Sequence, residues 1–107
     1  MNLFHRDKKI SKLYYMYNIT DYSYNQAKKL NVNIKPSKKD NYKIDVYDKK
    51  NNYITSIGDK NYNDYPTYLK TEGPEYAKER RRLYRKRHAK DLSVKNSRGY
   101  YANKILW

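Results

Sequence analysis

The chain contains no cysteine among its 107 residues, which excludes a disulfide framework and any thiolate-ligated metal site. Its two histidines, His5 and His88, lie far apart in sequence and offer no metal-ligand spacing. No apolar run approaches the ~20 residues that a membrane-spanning helix needs. The stretch Met1–Lys9 lacks the long apolar core of a signal peptide, so an intracellular, non-secreted protein is expected. Glycine is scarce, and neither a Gly-rich phosphate loop nor a nucleophile elbow is present. With no catalytic arrangement in view, the expectation is a protein that is not an enzyme and uses no cofactor or metal.

Negative charge is scarce as well. Asp and Glu number 11 against 25 Lys and Arg, giving a net charge of +14 and a pI of about 9.8. Self-repulsion at that charge opposes compaction, which points to a partner of opposite sign. A nucleic-acid backbone comes first, then anionic lipid, then an acidic protein.

What is abundant is tyrosine: 15 residues, beside a single Phe and a single Trp. Disordered basic tails are poor in aromatics, so the chain should fold, and its length suits one small domain. A tyrosine ring can fill a core while its hydroxyl reaches the surface. A genome rich in A and T also raises the Tyr, Lys, Asn and Ile content, so the count alone decides nothing about function.

Local patterns divide the chain. Residues 1–20 mix Lys8, Lys9 and Lys12 with Tyr14, Tyr15 and Tyr17 and read as a basic, aromatic arm whose tyrosine cluster forms a strand or a docking tab. Residues 21–107 read as one domain. Ser23-x-x-Gln26 fits a capping box, so a short helix should carry Tyr24, Ala27 and Leu30 and stop near Asn31. Pro36 and Ser37 mark a loop. Tyr42–Tyr47 alternates apolar and polar residues, and Tyr53–Ile57 is a second β-prone run closed by Gly58, so the two form a hairpin. Residues 59–70 read as a loop broken by Pro66. Gly73-Pro74-Glu75 then opens a long helix that should run to about Lys90. Ser97-Arg98-Gly99 reads as a turn before an apolar end, Tyr100 to Trp107. An isolated hairpin is marginal in water, and the long helix is expected to pack on it.

That helix carries the functional signal. Eight of the thirteen residues from Lys78 to Lys90 are Lys or Arg. At about 100° per residue, Tyr76, Ala77, Leu83 and Tyr84 share one sector, while Lys78, Arg81, Arg82, Arg85 and Lys86 lie opposite. The expected nucleic-acid-binding set is this stripe with Lys90 and the arm residues Lys8 and Lys9. Arg80 and Arg87 fall among the tyrosines, where the structural reading pairs them with Asp59 or Asp64 or stacks them on rings, and the functional reading has them grip a phosphate at the helix–loop junction. His88 reads as a capping or packing residue.

Gly58, Tyr62-x-Asp64-Tyr65, Arg80-Arg81-x-x-x-Tyr84-x-x-Arg87-His88, Gly99-Tyr100 and Leu106-Trp107 resemble an uncharacterised family of small basic proteins of giant, nucleocytoplasmic large DNA viruses. The resemblance covers residues 42–107. It implies a virion or viral-factory setting in the host cytoplasm, and one packed constellation of Asp64, Arg87, His88 and Trp107, which Arg80 and Tyr84 join as inner-face residues of the helix. The expected fold is α+β: a short N-terminal helix and a β-hairpin packed against a long basic helix. The expected function is largely sequence-independent binding or compaction of nucleic acid, DNA ahead of RNA. The alternative is a minor structural virion protein that binds other virion proteins through its aromatic surfaces. Either reading is compatible with a homo-oligomer.

Overall fold

A computed structural model describes residues 16–107. The fold is α+β, with a three-stranded antiparallel sheet and helices before and after it. The first helix, α1, spans Asp21–Lys29 and starts earlier than the Ser23 capping box suggests, because Thr20 is the N-cap and its Oγ1 accepts from the Ser23 amide at 3.2 Å. Ser23 is instead fully buried and donates from Oγ to the Ile105 carbonyl at 2.8 Å. Gln26 Nε2 donates to the Lys104 carbonyl beside it. The expected box residues thus tie the first helix to the last. Asn31 takes a left-handed φ of 60° just past the helix end, as anticipated.

Strand β1, Asn33–Pro36, was not expected, and Pro36, read as the mark of a loop, is its last residue. It is an edge strand, and Pro36 sits at its last position, where a missing N–H is tolerated. Strands β2 (Tyr42–Tyr47) and β3 (Tyr53–Asp59) form the expected hairpin. The Asp48 carboxylate accepts from the Lys50 and Asn52 amides in the turn, both at 2.9 Å. Ile34, Ile44, Val46 and Ile57 share a core with Ala27 and Val32 and with Tyr101, Ala102, Ile105 and Leu106. Each large aliphatic side chain buried there contributes about 1.5–3 kcal/mol.

The loop expected before the basic helix is in fact helix α2, Tyr65–Glu72. Asp64 caps it, accepting from the Thr67 amide at 3.0 Å. Pro66 lies in its first turn, where the absent N–H has no helical partner to lose. The basic helix α3 spans Pro74–Arg87 and ends at His88, whose φ of −104° and ψ of 17° leave the helical region. A short α4, Ala89–Leu92, follows. Ser97 is not part of a plain turn: its Oγ accepts from the Tyr100 amide at 3.2 Å and caps α5, Arg98–Leu106.

The sheet is covered by α1 and α5, whereas the principal neighbour of α3 is α2. This corrects the expected packing of the basic helix on the hairpin, and the cause lies in the stripes. Helix α5 offers Tyr101, Ala102, Ile105 and Leu106, all buried, but α3 buries only Ala77 fully. Gly58 permits the close approach of α5. An added Cβ would lie 2.5 Å from Leu106 Cδ1, at a backbone φ of 80° that side chains rarely adopt.

Residues just before α1 belong to the body. The Tyr17 hydroxyl donates to Asp64 Oδ2 at 2.7 Å, so the domain extends upstream of residue 21. Lys8 and Lys9 lie outside the described residues.

Candidate functional site

Two surfaces of α3 carry the positively charged groups. On the outer one, Lys78, Arg82, Arg85 and Lys86 are exposed, as their helical positions require. Arg82 is held by Glu79 through contacts of 3.0 and 2.6 Å. That contact pulls the Glu79 carboxyl below its usual range and raises the Arg82 guanidinium. Arg85 Nε donates to Asn103 Oδ1 at 2.9 Å, a neutral partner that brings no counter-charge. Lys90 is exposed on α4. Glu75 and Glu79 occupy the beginning of α3, so the excess of cations grows toward its end.

Arg81 does not join this stripe. Its guanidinium lies over the Tyr65 ring, 4.1 Å from the centroid, and Nη1 reaches the Trp107 main-chain oxygen at 3.5 Å. Arg81 stands only about 40° from Ala77 on the helical wheel. Once α2 packs beside Ala77, the guanidinium is drawn into the aromatic contact. Burial raises the nearby Tyr22 hydroxyl, and the Arg81 charge opposes that rise.

The other surface lines a cleft of about 720 Å³. One side is Arg80, Leu83, Tyr84 and Arg87 of α3, one helical face by spacing. The others are Tyr68 of α2, Tyr42 and Gly58 of the hairpin, Tyr62 in the loop after it, and Arg98, Gly99, Ala102, Leu106 and Trp107. Trp107 lies on Tyr84, with centroids 4.2 Å apart and planes 8° from parallel. On Tyr84, the His88 ring centroid stands 4.4 Å away. These rings form a ladder at the cleft wall, and Tyr68 meets Trp107 at 6.3 Å. Burial and the Asp91 charge push the Tyr84 hydroxyl up.

Three guanidinium groups, of Arg80, Arg87 and Arg98, line the cleft, against the carboxylates of Asp59 and Asp91. Arg80 stacks on Tyr68 with its guanidinium carbon 5.6 Å from the ring centroid, one of the two arrangements anticipated for it. Its Nε is buried and, among the described residues, has no hydrogen-bond partner. Arg87 is exposed at the rim. Arg98 lies over Tyr42 at 4.8 Å. His88 caps α3 through its amide, which donates to the Tyr84 carbonyl, and its Nδ1 stands 3.9 Å from Asp91 Oδ2.

Of the expected constellation, Arg80, Tyr84, Arg87, His88 and Trp107 meet at this cleft, and Asp64 does not line it. Asp64 is 1% exposed and pairs with Lys43 Nζ at 2.8 Å while accepting from Tyr17 and capping α2. Arg98, Tyr42 and Tyr68 were not singled out in the sequence. Arg98 sits in a segment read as a turn, and Ser97 as a cap before a stripe at 101, 102, 105 and 106 is the signal that reveals its helix. Among the described residues, no helix is long and apolar enough to cross a membrane.

Fold and site together define a small α+β domain with a basic helix and, on that helix's inner face, an aromatic-walled cleft rimmed by arginines. No family model, curated protein or solved structure matches the chain.

Proposed function

We propose that this protein binds nucleic acid, DNA ahead of RNA, by neutralising backbone phosphates with the outer face of α3. The observation that carries this reading is the exposed run of Lys78, Arg82, Arg85 and Lys86, continued by Lys90, on a chain of net charge +14. The first four stand on α3 and Lys90 on α4, and among the described residues only Arg82 of the five is held by a carboxylate. Cations so displayed match successive phosphates without reading bases, so selectivity for sequence is low. The setting proposed for this activity, a virion or viral factory, rests on the viral resemblance of the sequence alone.

The alternative, adhesion to other virion proteins, rests on exposed aromatics such as Tyr24, Tyr53 and Tyr76. Electrophoretic shifts with DNA, RNA and heparin side by side separate the two. Salt-sensitive shifts with all three, strongest for DNA, support the proposal. No shift at low salt, together with stable complexes with proteins, favours adhesion.

A further inference from the structure

We propose that the cleft between α3, the hairpin and α5 receives a single unpaired nucleotide, its base against the aromatic wall and its phosphate among the arginines. This rests on the polyanion reading above and adds to it a preference for single strands.

The volume of about 720 Å³ falls within the range of small-molecule sites, about 300–1,000 Å³. Its wall holds the stack of Trp107, Tyr84 and His88, whose inner faces are taken up by one another, so the outer side of the stack is what a base would meet. A planar base is the complement of such a surface, and every base has a face to offer it. Arginines at Arg80, Arg87 and Arg98 converge on the same space from two helices. Arg80 Nε is buried and, among the described residues, has no hydrogen-bond partner, an uncommon and costly state for a donor on a charged group. A phosphate oxygen is the acceptor that a guanidinium fits best. The three arginines outnumber Asp59 and Asp91 in the lining, which favours an anionic ligand over a quaternary ammonium. A base inside a duplex is stacked and cannot enter a cleft, so the occupant is a free nucleotide or an unpaired unit of a strand.

Trp107 is the only tryptophan and reports on its own wall. The full chain is titrated with dAMP, inorganic phosphate, a glutamate-rich peptide, a short single strand and a blunt duplex. Trp107 emission and bound fraction are read together. Saturable quenching by dAMP and the single strand, with none by phosphate, peptide or duplex, is the expected result. Quenching by the strand at far lower concentration than dAMP identifies the strand as the source of the nucleotide; equal affinities identify the free nucleotide.

Arg87→Gln with Arg98→Gln, both exposed positions, should weaken dAMP about tenfold and leave duplex binding nearly unchanged. Lys78→Gln, Arg85→Gln and Lys86→Gln together should do the reverse. No dAMP response up to about millimolar concentration, with duplex binding intact, overturns the cleft proposal alone. Quenching by phosphate or by the acidic peptide equal to that by dAMP overturns it too. A dAMP response without duplex binding overturns the outer-face reading and leaves the cleft standing.

Discussion

The indole of Trp107 lies flat on the Tyr84 ring, 4.2 Å between centroids and 8° between planes. The contact joins the end of α5 to the C-terminal part of the basic helix and closes one wall of the cleft. Trp107→Ala should therefore destabilise the domain by about 2–4 kcal/mol in urea unfolding, with Trp107→Phe losing clearly less. Equal losses would mean that an aromatic ring at this position recovers neither packing nor stacking, contradicting the role given to the contact.

Gly58→Ala should cost about 2–4 kcal/mol, combining an overpacked contact with Leu106 and an unfavourable backbone conformation. Gly58→Ala with Leu106→Ala relieves the collision but not the φ of 80°. The double variant should therefore lose less than the sum of the singles, as a double-mutant cycle would measure.

Lys43 and Asp64 form an ion pair whose side chains are 6% and 1% exposed. Asp64→Asn leaves the Lys43 ammonium buried without its counter-charge and should destabilise by about 3–5 kcal/mol. Adding Lys43→Met should recover part of that loss. Failure to recover any would assign the effect to the α2 cap and the Tyr17 bond instead.

Alkaline stability should fall above pH 10. Burial and then the Asp64 charge raise the Tyr17 hydroxyl, while burial and then the Asp91 charge raise that of Tyr84. A raised folded value means that the native state holds the proton longer than the unfolded chain. That contribution is fully present below the ordinary tyrosine value of 10.0 and is lost as pH rises through the folded values. Ultraviolet titration should show both hydroxyls ionising above the ordinary tyrosine range, and Tyr17→Phe should flatten the decline.

The affinity for DNA should fall with salt with a log–log slope of about −4, because among the described residues Lys78, Arg85, Lys86 and Lys90 have no carboxylate partner and can replace counterions. Arg81 is not one of them. Arg81→Glu should cost about 1–2 kcal/mol of stability by removing the Tyr65 and Trp107 contacts. Lys86→Glu should change stability by less than about 0.5 kcal/mol while weakening DNA binding. Similar stability losses in both variants would contradict the assignment of helix faces.

The sequence by itself determined the charge, the hairpin, the basic helix and the existence of a helix ending near Asn31. Each follows from a local signal: period-two alternation in Tyr42–Tyr47, cationic density after Pro74, a left-handed asparagine. The same local reading placed Lys78, Arg82, Arg85 and Lys86 outside and Arg80 among tyrosine rings. Only the tertiary structure decided which helix covers the sheet, that Asn33–Pro36 is a strand, and that Arg81 turns inward. It also decided that Asp64 serves Lys43 and Tyr17, and that Arg98 and Tyr42 join the cleft. These outcomes depend on partners distant in sequence, such as Ser23 and Ile105, 82 positions apart. Strand β1 exists because β2 supplies its hydrogen bonds, and Arg81 turns because Tyr65 and Trp107 arrive beside it. Periodicity shows which face of an element is apolar. What that face meets is set by the competition among all faces for burial, and α5, with the largest apolar stripe, took the sheet.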